Sequence, residues 1–432
     1  MFGVRRQTPQ PGDEGSAGGN QADSAHEGHA ATGGNTDRAG DGDGGTSQPS
    51  TRRARQPGPK IIAIGTAAVL AVAAGVAYAV TSSGIGASGS AKASASPIRV
   101  VSVTPANQAT GVDGANPIIV TFNHPVSPSS PNPTLTPNVP GDWTAFGNSL
   151  EFMPTTPFSE STNVTVEVPG GASGVHSSAG GMLTAAVTSQ FTTGSYSQAG
   201  LAVLLAEQGY LPMSFAPDHT SPAMADLWGA DAAADTPQGE AYEPPPGTMS
   251  WDSGYPASLV AQWVPNQANV ILEGAVMAFK SEHNMTIDGS LTPQLWTALF
   301  QAQESGQMNT NGYTYAVANK GSPETLTIWH NGQVVLTSLA NTGIGVAPTV
   351  DGTFPVYERF LNTIMSGTNP DGSHYSDPVQ FVSYFNGGDA VHYFARGSYG
   401  YPQSLGCVEL PYNAAQQAYP YLTYGSLVTV QG

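Results

Sequence analysis

The chain has 432 residues and a formal net charge of −18, with 10% charged residues, 52 glycines, 35 prolines and one cysteine. This acidic balance argues against the clustered Lys and Arg of a nucleic-acid surface, and a lone cysteine excludes an intramolecular disulfide. Sparse charge with abundant Gly and Pro is typical of β-rich modules and linkers rather than of helical bundles.

The N-terminal stretch combines a polar tail with one long apolar segment. Residues 1–60 contain hardly any large apolar side chains, which predicts a disordered tail. Residues 61–80 carry no charge over twenty positions, the length at which a helix spans about 30 Å of hydrocarbon. We therefore predict a transmembrane helix over residues 61–81.

The charges around this segment indicate its orientation. Basic residues precede it closely, at Arg52, Arg53, Arg55 and Lys60. The positive-inside rule then places the tail in the cytoplasm and residues after 81 outside, in a single-pass protein of the cell membrane. A cleaved signal peptide is the alternative, because Ala93-Ser94-Ala95 has a small-x-small form. The long lead and long apolar core favour an uncleaved anchor, followed by a flexible spacer at 82–96.

Residues 97–194 have the pattern of a β-sandwich. Short β-prone runs are separated by clusters of Pro, Gly, Asn and Asp, at 98–103, 118–122, 163–168 and 189–193. The segments V-T-P-A-N-Q-A-T-G-V and N-P-I-I-V-T-F-N-H-P-V resemble bacterial immunoglobulin-like modules of surface proteins. This resemblance implies a spacer or wall-contact domain without chemistry of its own.

Residues 195–304 have helical character. Apolar residues recur at helical spacing over 199–211 and 269–283, and a third helix is predicted to begin with Thr292 as N-cap and Pro293 at its first position. The series resembles a small three-helix peptidoglycan-binding domain, with matching positions Phe279, Asp288, Gly289, Pro293, Trp296 and Leu299. The alternative is a helical linker domain in which Trp296 is simply a core residue. An acidic, Pro-rich insertion at 213–265 is longer than that family usually carries.

Residues 311–432 are predicted to be β-rich again. Alternating runs predict strands near 315–319, 324–330, 334–339, 379–385 and 427–430. Asn331-Gly332 is a strong two-residue hairpin signal between two of them. The whole chain is therefore expected to be multidomain and mainly β, with one small helical domain and a single N-terminal transmembrane helix.

The one cysteine, Cys407, follows Gly406 and lies fifteen positions after His392. A thiol with an upstream histidine is the minimum of a nucleophile and its general base. Gly406 lets the backbone approach a substrate carbonyl, and neighbouring N–H groups can then stabilise an oxyanion. The alternative is a small buried apolar residue, which most free cysteines are.

The order of motifs in the C-terminal residues carries a family resemblance. The motifs are I-W-H-N-G-Q-V-V at 328–335, N-T-G at 341–343, P-T-V-D-G-T-F-P-V at 348–356, F-N-G-G-D-A-V-H at 385–392 and S-L-G-C-V-E-L at 404–410. This run resembles the catalytic domain of L,D-transpeptidases, the YkuD fold, over about 120 residues.

The resemblance implies a role for each matching residue. Cys407 corresponds to the nucleophile and His392 to its base, while Gly406 and Ser404 belong to the motif around the thiol. Tyr393 occupies the position whose backbone carbonyl is expected to orient the imidazole.

Two positions depart from the family pattern. Leu405 stands where most members have a second histidine, and Glu409 stands where Asn or Arg is usual. Leu405 cannot hydrogen-bond or share a proton, which bears on activity and on acceptor choice. Four loop tyrosines are expected either to line a peptide groove or to serve packing: Tyr375, Tyr384, Tyr399 and Tyr401. No metal site and no cofactor are predicted.

The resemblance implies a cysteine-dependent enzyme of the cell wall. Its substrates would be peptidoglycan stem peptides: a tetrapeptide donor acylates Cys407, D-Ala leaves, and a second stem yields a 3→3 cross-link. Carbapenems are expected as covalent inhibitors. The alternatives are a carboxypeptidase with water as acceptor, an enzyme attaching proteins to peptidoglycan, and a membrane-tethered wall-binding scaffold with an impaired thiol. A depressed Cys407 pKa would argue against the scaffold.

Overall fold

The computed structural model describes residues 96–218 and 233–432. The predicted tail at 1–60 and transmembrane helix at 61–81 lie outside the described residues, as does the predicted spacer at 82–96 except for its last residue. Within the described ranges, no helix has both the length and the apolar character needed to cross a membrane.

The first folded region is a sandwich of two four-stranded sheets, with strand orders β1-β3-β6-β5 and β2-β8-β7-β4. The strands are β1 Val100–Thr104, β2 Ala109–Val112, β3 Ile118–Phe122, β4 Thr134–Thr136, β5 Gly141–Phe146, β6 Ser149–Pro154, β7 Asn163–Val168 and β8 Val187–Thr193. Alternate side chains of β7 are buried between the sheets, as period-2 patterning requires. The predicted sandwich is confirmed, although β4, β5 and β6 lie in a Pro- and Gly-rich stretch that gave no strand signal.

The next region combines helices with a small two-stranded sheet. Its elements are α1 Gln198–Glu207, β9 Met213–Pro217, α2 Pro237–Tyr242, β10 Gly247–Trp251, α3 Ala257–Val260, α4 Val270–Glu282 and α5 Pro293–Ser305. The N-cap of α5 is the predicted one, because Leu295 donates its N–H to the Thr292 hydroxyl at 3.2 Å and Pro293 opens the helix. Helix α5 ends at Gly306, whose φ of +66° suits a glycine C-cap.

The described part of the 213–265 insertion is ordered secondary structure that contributes to a core. β9 and β10 pair antiparallel from Met213↔Trp251 to Pro217↔Gly247. Ala241 and Leu259 of the insertion are fully buried with the apolar faces of α1, α4 and α5. The insertion is therefore an integral layer of this region.

The C-terminal region contains a five-stranded sheet, β13-β12-β11-β19-β14, and a four-stranded sheet, β15-β16-β17-β18. The strands are β11 Thr314–Asn319, β12 Thr325–His330, β13 Gln333–Leu339, β14 Gly352–Pro355, β15 Glu358–Thr368, β16 His374–Asn386, β17 Asp389–Tyr393, β18 Val408–Leu410 and β19 Leu427–Gln431, with α6 Tyr412–Ala418 before the last. Asn331 and Gly332 form the predicted hairpin turn, both at positive φ. The β15–β16 hairpin is longer than the single strand predicted at 379–385. Its outer half was not predicted as strand because many of its residues are polar, as in a loop.

Two inner strands of the five-stranded sheet, β11 and β19, are buried on both faces. One face contributes Tyr315 and Leu427 to the core of the helical region, and the Tyr315 hydroxyl donates to Ser258 of the insertion at 3.0 Å. The opposite face packs against the four-stranded sheet through residues such as Ile328 and Val391. The insertion thus covers the side of the five-stranded sheet that faces away from the four-stranded sheet.

Candidate active site

Cys407 and His392 leave the same face of two neighbouring strands. β17 and β18 are parallel, with Val391 opposite Val408 and His392 opposite Glu409. Continuing this register by one residue places Cys407 beside Ala390. Val391 and Val408 are buried between the sheets, so the alternate residues project from the other face. His392 and Cys407 are then diagonal neighbours whose Cα atoms lie about 8 Å apart from strand spacing and rise.

His392 is held in one tautomer by its own strand. Its side chain is buried, with 2% of the residue exposed, and Nδ1 donates to the backbone carbonyl of Tyr393 at 2.9 Å. Nε2 is then the nitrogen that can accept a proton. Burial lowers the pKa of His392, while the Tyr393 carbonyl and the charge of Glu409 oppose that effect. The imidazole is therefore neutral at neutral pH and able to act as a base.

Cys407 is half-buried, and its thiol donates weakly to the carbonyl of Gly388 at 3.8 Å. Burial, together with the charges of Asp389 and Glu409, raises the pKa of Cys407 to about 12, although a hydrogen bond from the Ala390 backbone lowers it. The resting thiol is therefore protonated at neutral pH. The depressed pKa that would have counted against a scaffold is not what this environment produces.

Ser404 organises the turn that precedes the thiol. Its hydroxyl donates to the carbonyl of Cys407 at 2.6 Å and accepts the N–H of Gly406 at 3.2 Å. Gly406 has a φ of +121°, a conformation that favours glycine. The sequence analysis expects N–H groups beside the thiol to stabilise an oxyanion, and the structure shows that the N–H of Gly406 is already hydrogen-bonded to Ser404.

Asp389, at the start of β17, is a site residue that sequence reasoning missed. An ideal β-carbon on Gly406 would lie 2.2 Å from its Oδ1, so the carboxyl sits directly against the motif glycine. Burial raises the pKa of Asp389 to about 7, although hydrogen bonds from the Val350 backbone and the Asn386 side chain lower it. No sequence signal could identify this aspartate, because a Gly-Gly-Asp run reads as an ordinary turn.

Arg396 is a second residue that the sequence analysis missed. Its guanidinium donates to both carboxylate oxygens of Glu409, from Nε at 2.7 Å and from Nη2 at 2.7 Å. The Glu409 side chain is only 5% exposed. A signal did exist, since Glu409 had been recognised as unusual and an acidic residue in a buried strand requires a cationic partner.

The four predicted groove tyrosines separate into two pairs. Tyr384 packs in the small apolar cluster that includes Cys407. Burial raises the pKa values of Tyr384 and Tyr375, and a smaller electrostatic contribution from Cys407 raises both in the same direction. Tyr399 instead donates its hydroxyl to the Phe394 carbonyl at 2.6 Å, and Tyr401 is 46% exposed beside Ser398. Only the first pair lies beside the thiol. No three His, Cys, Asp or Glu side chains cluster as a metal site within the described ranges.

The helical region has a surface groove that includes Gly289, one of the six positions matched by the sequence resemblance. The groove has a volume of about 430 Å³ and is lined by ten residues from α1, α4 with the two residues before it, and the loop before α5. None of these lining residues comes from the described part of the insertion. Trp296 is buried in the core, at 3% exposure, which agrees with its core interpretation.

Two parts of the chain match models of known protein families. Residues 94–193 match the bacterial Ig-like domain, and residues 313–430 match the L,D-transpeptidase catalytic domain. These matches confirm two of the three domain resemblances found in the sequence, and they identify the strands around Cys407 as a domain of transpeptidase type. No curated protein matches the chain.

Solved structures of L,D-transpeptidases are similar to this chain. One from Mycobacterium smegmatis is 15% identical, with a TM-score of 0.26, over 78% of this chain and 100% of its own. L,D-transpeptidase 3 from Mycobacterium tuberculosis, in complex with a faropenem-derived adduct, is 15% identical, with a TM-score of 0.26, over 77% and 98%. The catalytic domain from E. faecium is 24% identical, with a TM-score of 0.25, over 27% of this chain and 95% of its own. The identification of residues 313–430 rests on the family model.

Proposed function

We propose that this chain is a cell-wall L,D-transpeptidase that forms 3→3 cross-links through an acyl-enzyme on Cys407. The observation that supports it is the placement of a thiol and a neutral imidazole on the same sheet face, within residues that match the transpeptidase catalytic domain. The proposed acyl transfer needs no cofactor, because it requires only a nucleophile, a base and hydrogen-bond donors.

The first half-reaction begins with both partners neutral. Sγ of Cys407 attacks the carbonyl carbon of the third stem residue while its proton passes to Nε2 of His392. The carbonyl π electrons move to oxygen, which gives a tetrahedral oxyanion. Collapse of this intermediate breaks the bond to the terminal D-Ala, whose amine leaves with the proton returned by His392. The products are a thioester on Cys407 and free D-Ala.

Proton transfer during the attack follows from the raised pKa of Cys407. A preformed thiolate–imidazolium pair would require a thiol pKa below that of the imidazole, which burial of both groups opposes. The Gly406 N–H can stabilise the oxyanion only by exchanging its hydrogen bond to Ser404. A single oxyanion donor typically contributes about 3 kcal/mol to the transition state.

The second half-reaction transfers the acyl group to an acceptor. A side-chain amine of a second stem attacks the thioester carbonyl, and His392 removes the proton of that amine. His392 then passes this proton to the sulfur of Cys407, which leaves as a thiol. With water in place of the amine the product is a tripeptide, and with a protein amine it is a protein–peptidoglycan conjugate. Half-buried Leu405, in the position of the missing histidine, is the feature that bears on this choice.

The remaining regions fit an enzyme held at the cell surface. We infer an uncleaved anchor at 61–81, with the N-terminus cytoplasmic and the Ig-like region at 97–194 spacing residues 195–304 and 311–432 out into the wall. The open groove beside Gly289 supports contact between the helical region and peptidoglycan. Protease accessibility of an epitope tag at each terminus in intact cells tests this orientation, and only the C-terminal tag should be cleaved.

The test of function uses the full-length protein, wild type and Cys407→Ala, with a disaccharide-tetrapeptide and mass spectrometry. Transpeptidation predicts a dimer that has lost one D-Ala and is absent with Cys407→Ala. Tripeptide monomer alone would identify a carboxypeptidase. Cys407 should also gain the mass of an intact carbapenem, with His392→Gln slowing that reaction by about 100-fold as expected for a general base. Neither turnover nor adduct would identify the scaffold.

A further inference from the structure

The ion pair of Arg396 and Glu409 lies directly beside His392. Glu409 is opposite His392 in the parallel register of β17 and β18, and it projects from the same sheet face. Both carboxylate oxygens accept from the guanidinium at 2.7 Å, a bidentate geometry that fixes both side chains. The base of the proposed reaction is therefore next to a paired charge.

Phe394 lies between the imidazole of His392 and the guanidinium of Arg396. The Phe394 ring stands edge-on to the His392 ring, at 6.3 Å between centroids and 83° between planes. The Arg396 guanidinium carbon lies 4.6 Å from the centroid of the Phe394 ring, a cation–π geometry. The imidazole therefore neighbours Phe394, and the Phe394 ring neighbours the Arg396 guanidinium. The guanidinium is in turn paired with Glu409, which lies opposite His392.

The Arg396–Glu409 pair also connects the two ends of the loop that joins His392 to Cys407. Arg396 is four residues after His392, whereas Glu409 is two residues after Cys407. Nη2 of Arg396 also donates to the carbonyl of Gln403 at 3.1 Å, just before the Ser404 turn. Movement of this loop would shift His392 relative to Cys407. The ion pair opposes such movement because it links the start of the loop to the strand that follows the thiol.

Stability alone is a weak explanation for a buried ion pair. The cost of removing two charges from water roughly cancels their attraction, and an apolar pair of similar volume is often as stable. The Glu409 side chain is 5% exposed and that of Arg396 is 28% exposed, so the pair is substantially desolvated. Its location beside the imidazole suggests a role in the reaction.

We propose that Arg396 and Glu409 are a positioning pair for His392, which fixes the imidazole relative to Cys407 and balances the charge that His392 acquires during acylation. The carboxylate stabilises the imidazolium, and the guanidinium prevents the same carboxylate from holding His392 protonated at rest. This inference rests on the proposed acyl transfer at Cys407 and assigns a function to the residue that departs from the family pattern.

The two partners act on His392 in opposite directions. The Glu409 charge raises the pKa of His392 and the Arg396 charge lowers it. Burial and the Glu409 charge raise the pKa values of Cys407 and Tyr399, and Asp389 on β17 also raises that of Cys407, so the titration of His392 itself is the readout that isolates the effect of the pair on the imidazole. Glu409→Gln should therefore lower the pKa of His392, and Arg396→Met should raise it.

The experiment compares Glu409→Gln, Arg396→Met, the double variant and Arg396→Lys in the full-length protein. Lys320→Met is the matched control, since it breaks the Lys320–Asp351 ion pair elsewhere in the same region. Selective ¹³C labelling of histidine, with assignment by His392→Gln, gives the titration midpoint of His392 by NMR. Acylation by a carbapenem is followed by mass spectrometry between pH 5 and 9, and melting temperature is measured in parallel.

Each single variant should acylate at least tenfold more slowly, with midpoints displaced in opposite directions. The double variant should lose less than the product of the two single losses, and Arg396→Lys should recover part of the rate. Lys320→Met should match wild type. Midpoints that do not move, or that move together while rates follow melting temperature, would overturn the inference. If wild type itself forms no adduct, the proposed function fails, whereas opposite NMR displacements would still establish the electrostatic coupling.

Discussion

Asp389 occupies the space that a side chain on Gly406 would need, because an ideal β-carbon there would lie 2.2 Å from Oδ1 of the aspartate. The glycine also has a φ of +121°, which L side chains rarely adopt. Conformation and close approach therefore both require glycine immediately before the nucleophile. The finding links a residue predicted from the sequence to one that was not.

Gly406→Ala is expected to reduce acylation of Cys407 by at least 100-fold. The methyl group must displace either the Asp389 carboxyl or the backbone that carries the thiol, and sub-ångström misplacement of a nucleophile is costly. Carbapenem adduct formation is the measurement. Gly397→Ala, in the same loop, is the control, since a β-carbon there meets nothing within 4 Å. Normal acylation by Gly406→Ala would show that the turn is free to rearrange.

Asp389→Asn is expected to make the thiol more reactive. Burial is the main cause of the raised pKa of Cys407 and the Asp389 charge adds to it, so an uncharged amide of the same shape should lower that pKa. Alkylation of Cys407 by iodoacetamide should then be about tenfold faster than in wild type at pH 8.5.

The advantage of Asp389→Asn should disappear in acid. Burial raises the pKa of Asp389 to about 7, so the wild-type carboxyl is itself uncharged at pH 5.5. The folded state holds that proton between about pH 4 and 7 while the unfolded state does not, and the contribution of Asp389 to stability falls as pH rises through that window. The ratio of alkylation rates should therefore approach one at pH 5.5. A ratio independent of pH would contradict the assignment of this titration to Asp389.

Ser404→Ala is expected to lower both stability and acylation. Ser404 is 2% exposed, and removing its hydroxyl leaves the Gly406 N–H without its partner and the Cys407 carbonyl with only the long 3.5 Å bond from Thr349. Leaving buried polar groups unsatisfied costs about 1–3 kcal/mol of unfolding free energy. Urea denaturation measures that loss, and acylation should fall about tenfold. Ser404→Thr retains the hydroxyl and should recover most of the stability; equal losses in both variants would indicate that side-chain volume, not hydrogen bonding, is decisive.

Tyr384→Ala and Tyr401→Ala are expected to differ. Tyr384 packs in the apolar cluster beside Cys407, whereas Tyr401 is 46% exposed and its hydroxyl is hydrogen-bonded to that of Ser398. Removing the ring of Tyr384 should slow carbapenem acylation about tenfold, and removing that of Tyr401 should change it less than twofold. Comparable losses would show that the 398–401 loop also contacts the acyl donor.

The sequence predicted the residue types of the site better than its electrostatics. Cys407, His392 and Gly406 could be identified because each lies in a short motif whose chemistry is local. Glu409 indicated that a cationic partner was needed, but its identification as Arg396 depends on the register between β17 and β18 and on the path of the loop between them. The raised pKa of Cys407 depends likewise on burial by strands distant in sequence, such as β16.

The fold shows the same division between local and distant information. The Asn331-Gly332 turn and the Thr292-Pro293 helix start were predictable because they involve adjacent residues with fixed backbone preferences. The packing of the described part of the 213–265 insertion was not predictable, since a Pro-rich composition resembles a linker. Its structure comes from burying Ala241 and Leu259 against helices that flank it in the chain.

The burial of β11 and β19 on both faces limits how this protein can be divided. A fragment beginning at residue 311 would expose Tyr315, Val317 and Leu427, which now lie in the core shared with the helices and the insertion. Exposed contiguous apolar surface of this kind promotes self-association. Transferring the C-terminal region to another protein would therefore require its helical neighbour as well.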